Sequence, residues 1–234
     1  MSSRTRVVSV NVGQPRELHW RGRRVTTCIF KEPVEGRVAV RRLHLEGDQQ
    51  ANLKVHGGPD KAVYVYPVEH YDYWGKEFPD MPLPLGWFGE NLTTEGLLET
   101  AVYIGDRLRI GSAEVQVTSP RVPCSTLEAK FERDDMIKRF LASRRTGFYL
   151  AVLQEGEVGA GDPIEVIGRD ANEVTVSEIA RLYTPGPSGS TSSPHSKDLA
   201  DLRRAAQLAA LPENWRARFR EKMKRIEAGS PQPD

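Results

Sequence analysis

Long apolar runs are missing from this 234-residue chain: the longest span six residues, as in Phe148–Leu153. A membrane helix needs ~20, so no membrane-spanning segment is expected. The first residues, Met-Ser-Ser-Arg-Thr-Arg-Val-Val-Ser-Val, hold basic side chains with no apolar stretch behind them. No signal peptide is read there, and a cytoplasmic location is the expectation. Cysteine is scarce. Cys28 and Cys124 are too few for a disulfide scaffold or an iron–sulfur centre. An excess of one charge is also lacking, with 33 basic residues against 32 acidic ones, which argues against an overall grip on nucleic acid or acidic membrane. No Walker-type loop or dinucleotide fingerprint occurs, and the histidines and cysteines lack zinc-like spacing.

What is present is a folded composition, with 38% hydrophobic and 28% charged residues. Short alternating, β-branched runs predict strands at 7–12, 24–30, 37–43, 62–66, 107–110, 114–118, 148–153 and 164–167. Such strands with frequent Gly, Pro and Asp turns favour a mainly β, barrel-like domain over residues 1–170. Two helical interruptions are expected. Pro67 would open one over 68–77. Residues 125–140 read as one helix or a broken pair, with Asp134 and Asp135 as a restart cap. Residues 171–234 differ in texture. Thr175-Val-Ser-Glu178 has the capping-box pattern and opens a helix to about Tyr183. A Gly/Ser/Pro-rich loop over 185–196 is expected to be mobile. Helices over 197–211 and from Pro212 onward complete a small three-helix domain, with residues after Glu227 frayed.

Cys124 is the more informative thiol. It lies in Pro120-Arg-Val-Pro-Cys124, after a strand and at the start of a helix, whose N–H groups and partial positive charge favour thiolate. Such a residue can be a soft-metal ligand, a nucleophile or a sulfur carrier; a buried, inert cysteine is the competing reading. Cys28, inside the run Thr26-Thr-Cys-Ile-Phe30, reads as a small packed hydrophobe. His56-Gly57-Gly58-Pro-Asp60-Lys61 can converge N–H groups and positive donors on an oxyanion, or can be a tight turn. Tyr64, Tyr66, His70, Tyr71, Tyr73 and Trp74 form an aromatic stripe, a pattern that is more often core than cofactor box. Glu90 and Asn91, in a Gly-rich loop, could orient a polar ligand.

Taken in order, these segments resemble a MOSC domain of the YiiM type, a family named for the C-terminal domain of molybdenum cofactor sulfurases. The resemblance rests on Thr27-Cys-Ile-Phe-Lys-Glu-Pro-Val34, Leu45-Glu-Gly-Asp-Gln49, His56-Gly-Gly-Pro-Asp60, Tyr66 with His70-Tyr71, Phe88-Gly-Glu-Asn-Leu92 and Pro120-Arg-Val-Pro-Cys124. It continues through Thr146-Gly-Phe-Tyr149 and Gly159-Ala-Gly-Asp162, covering about 7–169. The tail is similar to the three-helix "3-alpha" domain of that subfamily. The resemblance implies a barrel that binds molybdenum cofactor (Mo-molybdopterin) with Cys124 as metal ligand. The implied activity reduces N-hydroxylated compounds, such as N-hydroxylated bases, to amines, in a detoxifying role independent of pyridoxal phosphate. It also implies a pterin phosphate near Lys31, His56, Gly57, Gly58 and Arg121. Asp60, Tyr66, His70, Glu90 and Asn91 would then line the pocket and handle pterin hydrogen bonds or protons, with His56 and His70 beside Cys124 as catalytic candidates. The position of Cys28 is usually a small non-thiol residue in that family.

Three classes of function follow. The leading one is the molybdenum-dependent reductase. The alternative is a sulfur carrier with a Cys124 persulfide. The third is a cofactor carrier or a nucleic-acid module using the basic last helix. That helix also carries Glu213, Glu221 and Glu227, and residues 173–234 hold ten basic against eight acidic side chains. No nucleic-acid or membrane partner is therefore expected. The partners would be a small N-hydroxylated substrate and a separate electron-donor reductase, and a homodimer stays open.

Overall fold

The computed structural model describes residues 5–50, 57–184 and 195–228. The expected mobile loop over 185–196 lies mostly outside these residues, as do the frayed C-terminus beyond residue 228 and His56. In chain order the elements are β1 (Arg6–Val12), β2 (Arg16–Trp20), β3 (Arg23–Thr27), β4 (Glu32–Pro33), β5 (Arg37–Val40), β6 (Val63–Pro67), α1 (Glu69–Glu77) and β7 (Leu92–Glu95). There follow β8 (Arg107–Ile110), β9 (Ala113–Pro120), α2 (Ser125–Phe131), α3 (Met136–Ser143), β10 (Phe148–Gln154), β11 (Gly156–Gly159) and β12 (Ile164–Gly168). The helices α4 (Val176–Tyr183), α5 (His195–Gln207) and α6 (Glu213–Glu227) close the chain.

The main sheet runs β12-β8-β9-β10-β6-β7-β1-β4. Its pairs are antiparallel except β6 with β7, which is parallel. The sheet curls so that its ends approach each other. Val7 donates to the Asp162 carbonyl at 2.9 Å, Ile164 donates to the Thr5 carbonyl at 2.9 Å, and Arg6 bridges Pro163. These links join β1 to the start of β12, and the long-range pair β5–β11 and the hairpin β2–β3 form two separate two-stranded sheets. The expected barrel-like, mainly β architecture is what the chain adopts.

β6 shows how the sequence builds two cores. All its residues are buried, and side chains alternate across a strand. Val63 and Val65 therefore enter the aliphatic core with Val7, Leu108 and Val117. Tyr64 and Tyr66 face the other way, into an aromatic core with Trp74, Phe88, Phe131 and Phe140. Tyr66 stacks on Phe88 with ring centroids 4.6 Å apart. The aliphatic core does not stop at the barrel. Ile179 of α4, Leu202 of α5 and Trp215 and Phe219 of α6 belong to it, so the helical segment shares one buried interior with the sheet.

Several local expectations need correction. Pro67 ends β6 instead of opening a helix, and α1 begins at Glu69. The strand expected over 24–30 ends at Thr27. Its ladder pairs Arg16 with Thr27; the next partner of Cys28 would be Pro15, which has no N–H to give. The segment 125–140 is a broken pair, α2 and α3. Asp135 occupies the cap position of α3 without a side-chain cap bond, because its carboxylate binds Arg133 and Arg139. The capping box at Thr175 and Glu178 forms as expected, with Glu178 N–H donating to Thr175 Oγ1 at 3.1 Å.

Candidate functional site

Pro120, closing β9, and Pro123 beyond it stiffen the connection and deliver Cys124 to the N-cap position of α2 in extended conformation (φ −131°, ψ 174°). Its Sγ lies 2.8 Å from Thr126 Oγ1. Two cavities meet there. One, of about 380 Å³, opens into the barrel and is lined by Cys28, Lys31, Asp48, Asn91, Arg121 and Cys124 among others. The second, of about 680 Å³, lies between the 119–124 segment and α6. Lys61, Cys124 and Tyr149 border both.

The barrel-side cavity is wired through Asp48. Lys31 Nζ donates to its Oδ2 at 2.5 Å, Asn91 Nδ2 to Oδ2 at 2.9 Å and Gly13 N–H to Oδ1 at 2.8 Å. Asn91 Oδ1 accepts the Tyr64 N–H at 3.1 Å, tying this group to β6. Burial lowers the Lys31 pKa, and the Asp48 and Cys28 side chains oppose that drop. Burial likewise lowers Lys61, opposed by Asp60 and Cys124. Arg121 is buried, donates to the Phe88 carbonyl at 2.5 Å and lies 4.8 Å over the Tyr64 ring. Burial works against its charge, but Tyr64, Tyr149 and Cys124 hold its pKa above the ordinary value.

A Gly-rich loop keeps these parts in register. Gly86 (φ 86°) and Gly89 (φ 79°) take left-handed backbone. A Cβ on Gly86 would lie 2.6 Å from the Lys31 carbonyl oxygen, and one on Gly89 2.9 Å from Ile29. Only glycine lets the loop press on the strand exit that carries Lys31. Glu90 locks the loop, accepting from Gly86 N–H and Thr93 Oγ1 at 2.9 Å each and from the Tyr71 hydroxyl. Burial raises its pKa.

Of the residues singled out from sequence, Lys31, Asn91, Arg121 and Cys124 share the barrel-side cavity. Others do not join it. His70 is buried, and its Nε2 is held 2.8 Å from Glu99 Oε2, a carboxylate that also accepts the Gly147 N–H at 2.7 Å. It cross-links α1 to the chain before β10 and does not line either cavity. Tyr66 is fully buried, donating to the Arg145 carbonyl and accepting from Trp74 Nε1 at 2.7 Å. Glu90 turns its carboxylate back onto its own loop and lines neither cavity. Asp60 is exposed in the turn at Pro59–Lys61, where its carbonyl accepts from Thr118 Oγ1 at 2.6 Å. Gly57 and Gly58 lead into that turn, Gly58 at φ 100°, and line neither cavity. Cys28 needs the opposite correction: it has left the strand and faces the same cavity as Cys124. Lys61, expected as a positive donor, borders both cavities, while Asp48, in the motif Leu45–Gln49, joins the site without having been singled out by the sequence. Its place directly after Gly47 was the available signal.

Among the described residues no group of three or more His, Cys, Asp or Glu side chains could hold a metal ion. No helix there is long and apolar enough to cross a membrane. A metal at Cys124 would therefore have to bring most of its own ligands. The soft thiol with Lys31, Lys61 and Arg121 around it suits an anionic chelate of a soft-ligand metal. The donor set fits a molybdenum pterin.

The fold and this Pro-Cys site define a class. The chain belongs to the MOSC family, in its YiiM-like branch: residues 52–165 match the MOSC domain model and 195–227 the YiiM-like, 3-alpha helix domain model. It is similar to the protein YflK of Bacillus subtilis, at 41% identity over 94% of this chain and 95% of that one. The crystal structure of YiiM from Geobacillus stearothermophilus superposes with TM-score 0.75 at 34% identity, over 94% of this chain and 99% of that one. A Gibberella moniliformis protein named as a reductase is 32% identical over 69% of this chain, which spans 29% of that longer protein.

Proposed function

We propose that the protein is a molybdenum-cofactor-dependent reductase of N-hydroxylated compounds. The observation that carries this reading is the Cys124 thiol at the junction of two cavities, beside Lys61 and Arg121. Cys124 would be the single protein ligand to the metal, with Arg121, Lys31 and Lys61 around the pterin phosphate. Asp48 and Asn91 would offer hydrogen bonds to the pterin edge. When bound, the cofactor supplies two-electron redox chemistry with oxygen-atom transfer. The overall change takes an N–OH group, two electrons and two protons to an N–H group and water. The chain's own part is to bind, orient and deliver protons. Lys61, which borders both cavities with Cys124, is a candidate donor, since burial already eases loss of its proton. No dinucleotide fingerprint occurs in the chain, so a separate reductase would supply the electrons.

The test is molybdenum and pterin content of protein purified from a cofactor-making host, for wild type and Cys124→Ser. Molybdenum near one per chain in wild type and lost in the variant is expected, together with reduction of an N-hydroxylated base by a chemical reductant. Metal-free wild type, or unchanged metal in Cys124→Ser, would overturn the ligand assignment. A sulfane-sulfur adduct on Cys124 without molybdenum would favour sulfur carriage instead.

A further inference from the structure

The second cavity has a wall that the MOSC barrel does not provide. One side is the 119–124 segment with Tyr149; the other is Tyr183 at the end of α4 and Asn214, Trp215, Ala217, Arg218 and Glu221 on α6. The helical domain therefore forms the outer face of a chamber that opens on Cys124. Its aromatic lining is organised: the rings of Tyr183 and Trp215 lie 4.9 Å apart, and the Arg218 guanidinium sits 4.4 Å over Tyr183. Among the described residues Arg218 makes no ion pair, so its donors are not committed to a carboxylate. On the barrel side Ser119 borders the chamber, and its buried hydroxyl has no hydrogen-bond partner. A buried polar group left unsatisfied is expensive in an apolar wall, and a ligand's ring nitrogen or oxygen would complete it.

Resting on the reductase reading, we infer that α6 and Tyr183 form the specificity wall of the substrate chamber, selecting flat nitrogen-containing ring compounds. The π-faces and guanidinium favour a planar ring by stacking and cation–π attraction, while Asn214 and Ser119 can read polar ring edges by hydrogen bonds. This gives the helical domain a role in choosing the substrate, with the reacting group held toward Cys124. The residues of this wall act by positioning; none needs to touch the metal.

The experiment is calorimetric titration of the purified protein with adenine, an unreactive planar base, so that binding is read without turnover. Wild type should bind adenine. Ala217→Phe, which fills the chamber from an exposed helix position, should weaken binding about tenfold or more, which is ~1.4 kcal/mol. Arg218→Met should weaken it about threefold or more through loss of the stacked cation, and covers the case in which the bulkier variant does not fold. No adenine binding by wild type overturns the inference, as does equal affinity in both variants. Adenine binding that is sensitive to these substitutions in a protein without molybdenum would leave the chamber standing and sink the reductase reading alone.

Discussion

Lys130 is a cation held in the wrong place for its charge. It donates to the carbonyls of Ile29 at 3.0 Å and Gly86 at 3.4 Å and lies 4.8 Å over the Trp87 ring. These contacts favour the ammonium, yet burial dominates and pushes its pKa down to about 7. A base with a depressed folded pKa binds fewer protons folded than unfolded in the window from about 7 up to its unfolded value of ~10.4. Its contribution to stability therefore rises with pH there, and below about 7 it is at its least favourable. Urea midpoints measured from about pH 7 to 9 should show this rise, and Lys130→Met should flatten it. An identical slope in the variant would assign the effect to other groups. At this scale the placement of Cys124 at a helix start was legible, because its neighbours in the chain make its surroundings. The placements of His70 and Cys28 were not legible. The fate of His70 is set by Glu99, 29 positions away, and that of Cys28 by the proline opposite it across the hairpin.

Helices and strands were legible where local chemistry decides them. The Thr175 capping box and the alternating run of β10 need no distant partner. The short strands β4 and β7 were not legible, because Leu92–Glu95 reads as polar loop until it is inserted in parallel beside β6. The loop before it shows the same dependence. Its Gly86 is required by left-handed backbone and by the Lys31 carbonyl 2.6 Å from where a Cβ would sit. Gly86→Ala should lower stability by at least ~2 kcal/mol through strain and displacement. It should also disturb the cavity, seen as reduced pterin content at temperatures where the variant is still folded. A fully stable variant with unchanged pterin content would show that the loop can shift freely.

The whole molecule folds around a shared interior. Sequence texture places a boundary near residue 170, but Phe219 of α6 is fully buried in the same cluster as Val7 and Val117. Phe219→Ala should cost ~3–5 kcal/mol and lower the single thermal transition of the entire chain. Two separated transitions, with only the smaller one shifted, would contradict a common core. The same packing places α6 over Cys124, a proximity with no trace in the periodicity of either segment.

The sequence by itself determined the strand-rich barrel, the stiff Pro-Cys connection and the cap of α4. Periodicity, proline geometry and side-chain capping act within a few residues, so their outcome is written locally. Only the tertiary structure decided which side chains meet at Cys124. Cys28, Asp48 and Lys61 arrive there, His70 and Tyr66 are withdrawn into the aromatic core, and α6 closes the second chamber. Those outcomes depend on burial and pairing between segments tens to a hundred residues apart, as between Lys130 and Ile29, and become defined only when the sheet curls and its cores fill.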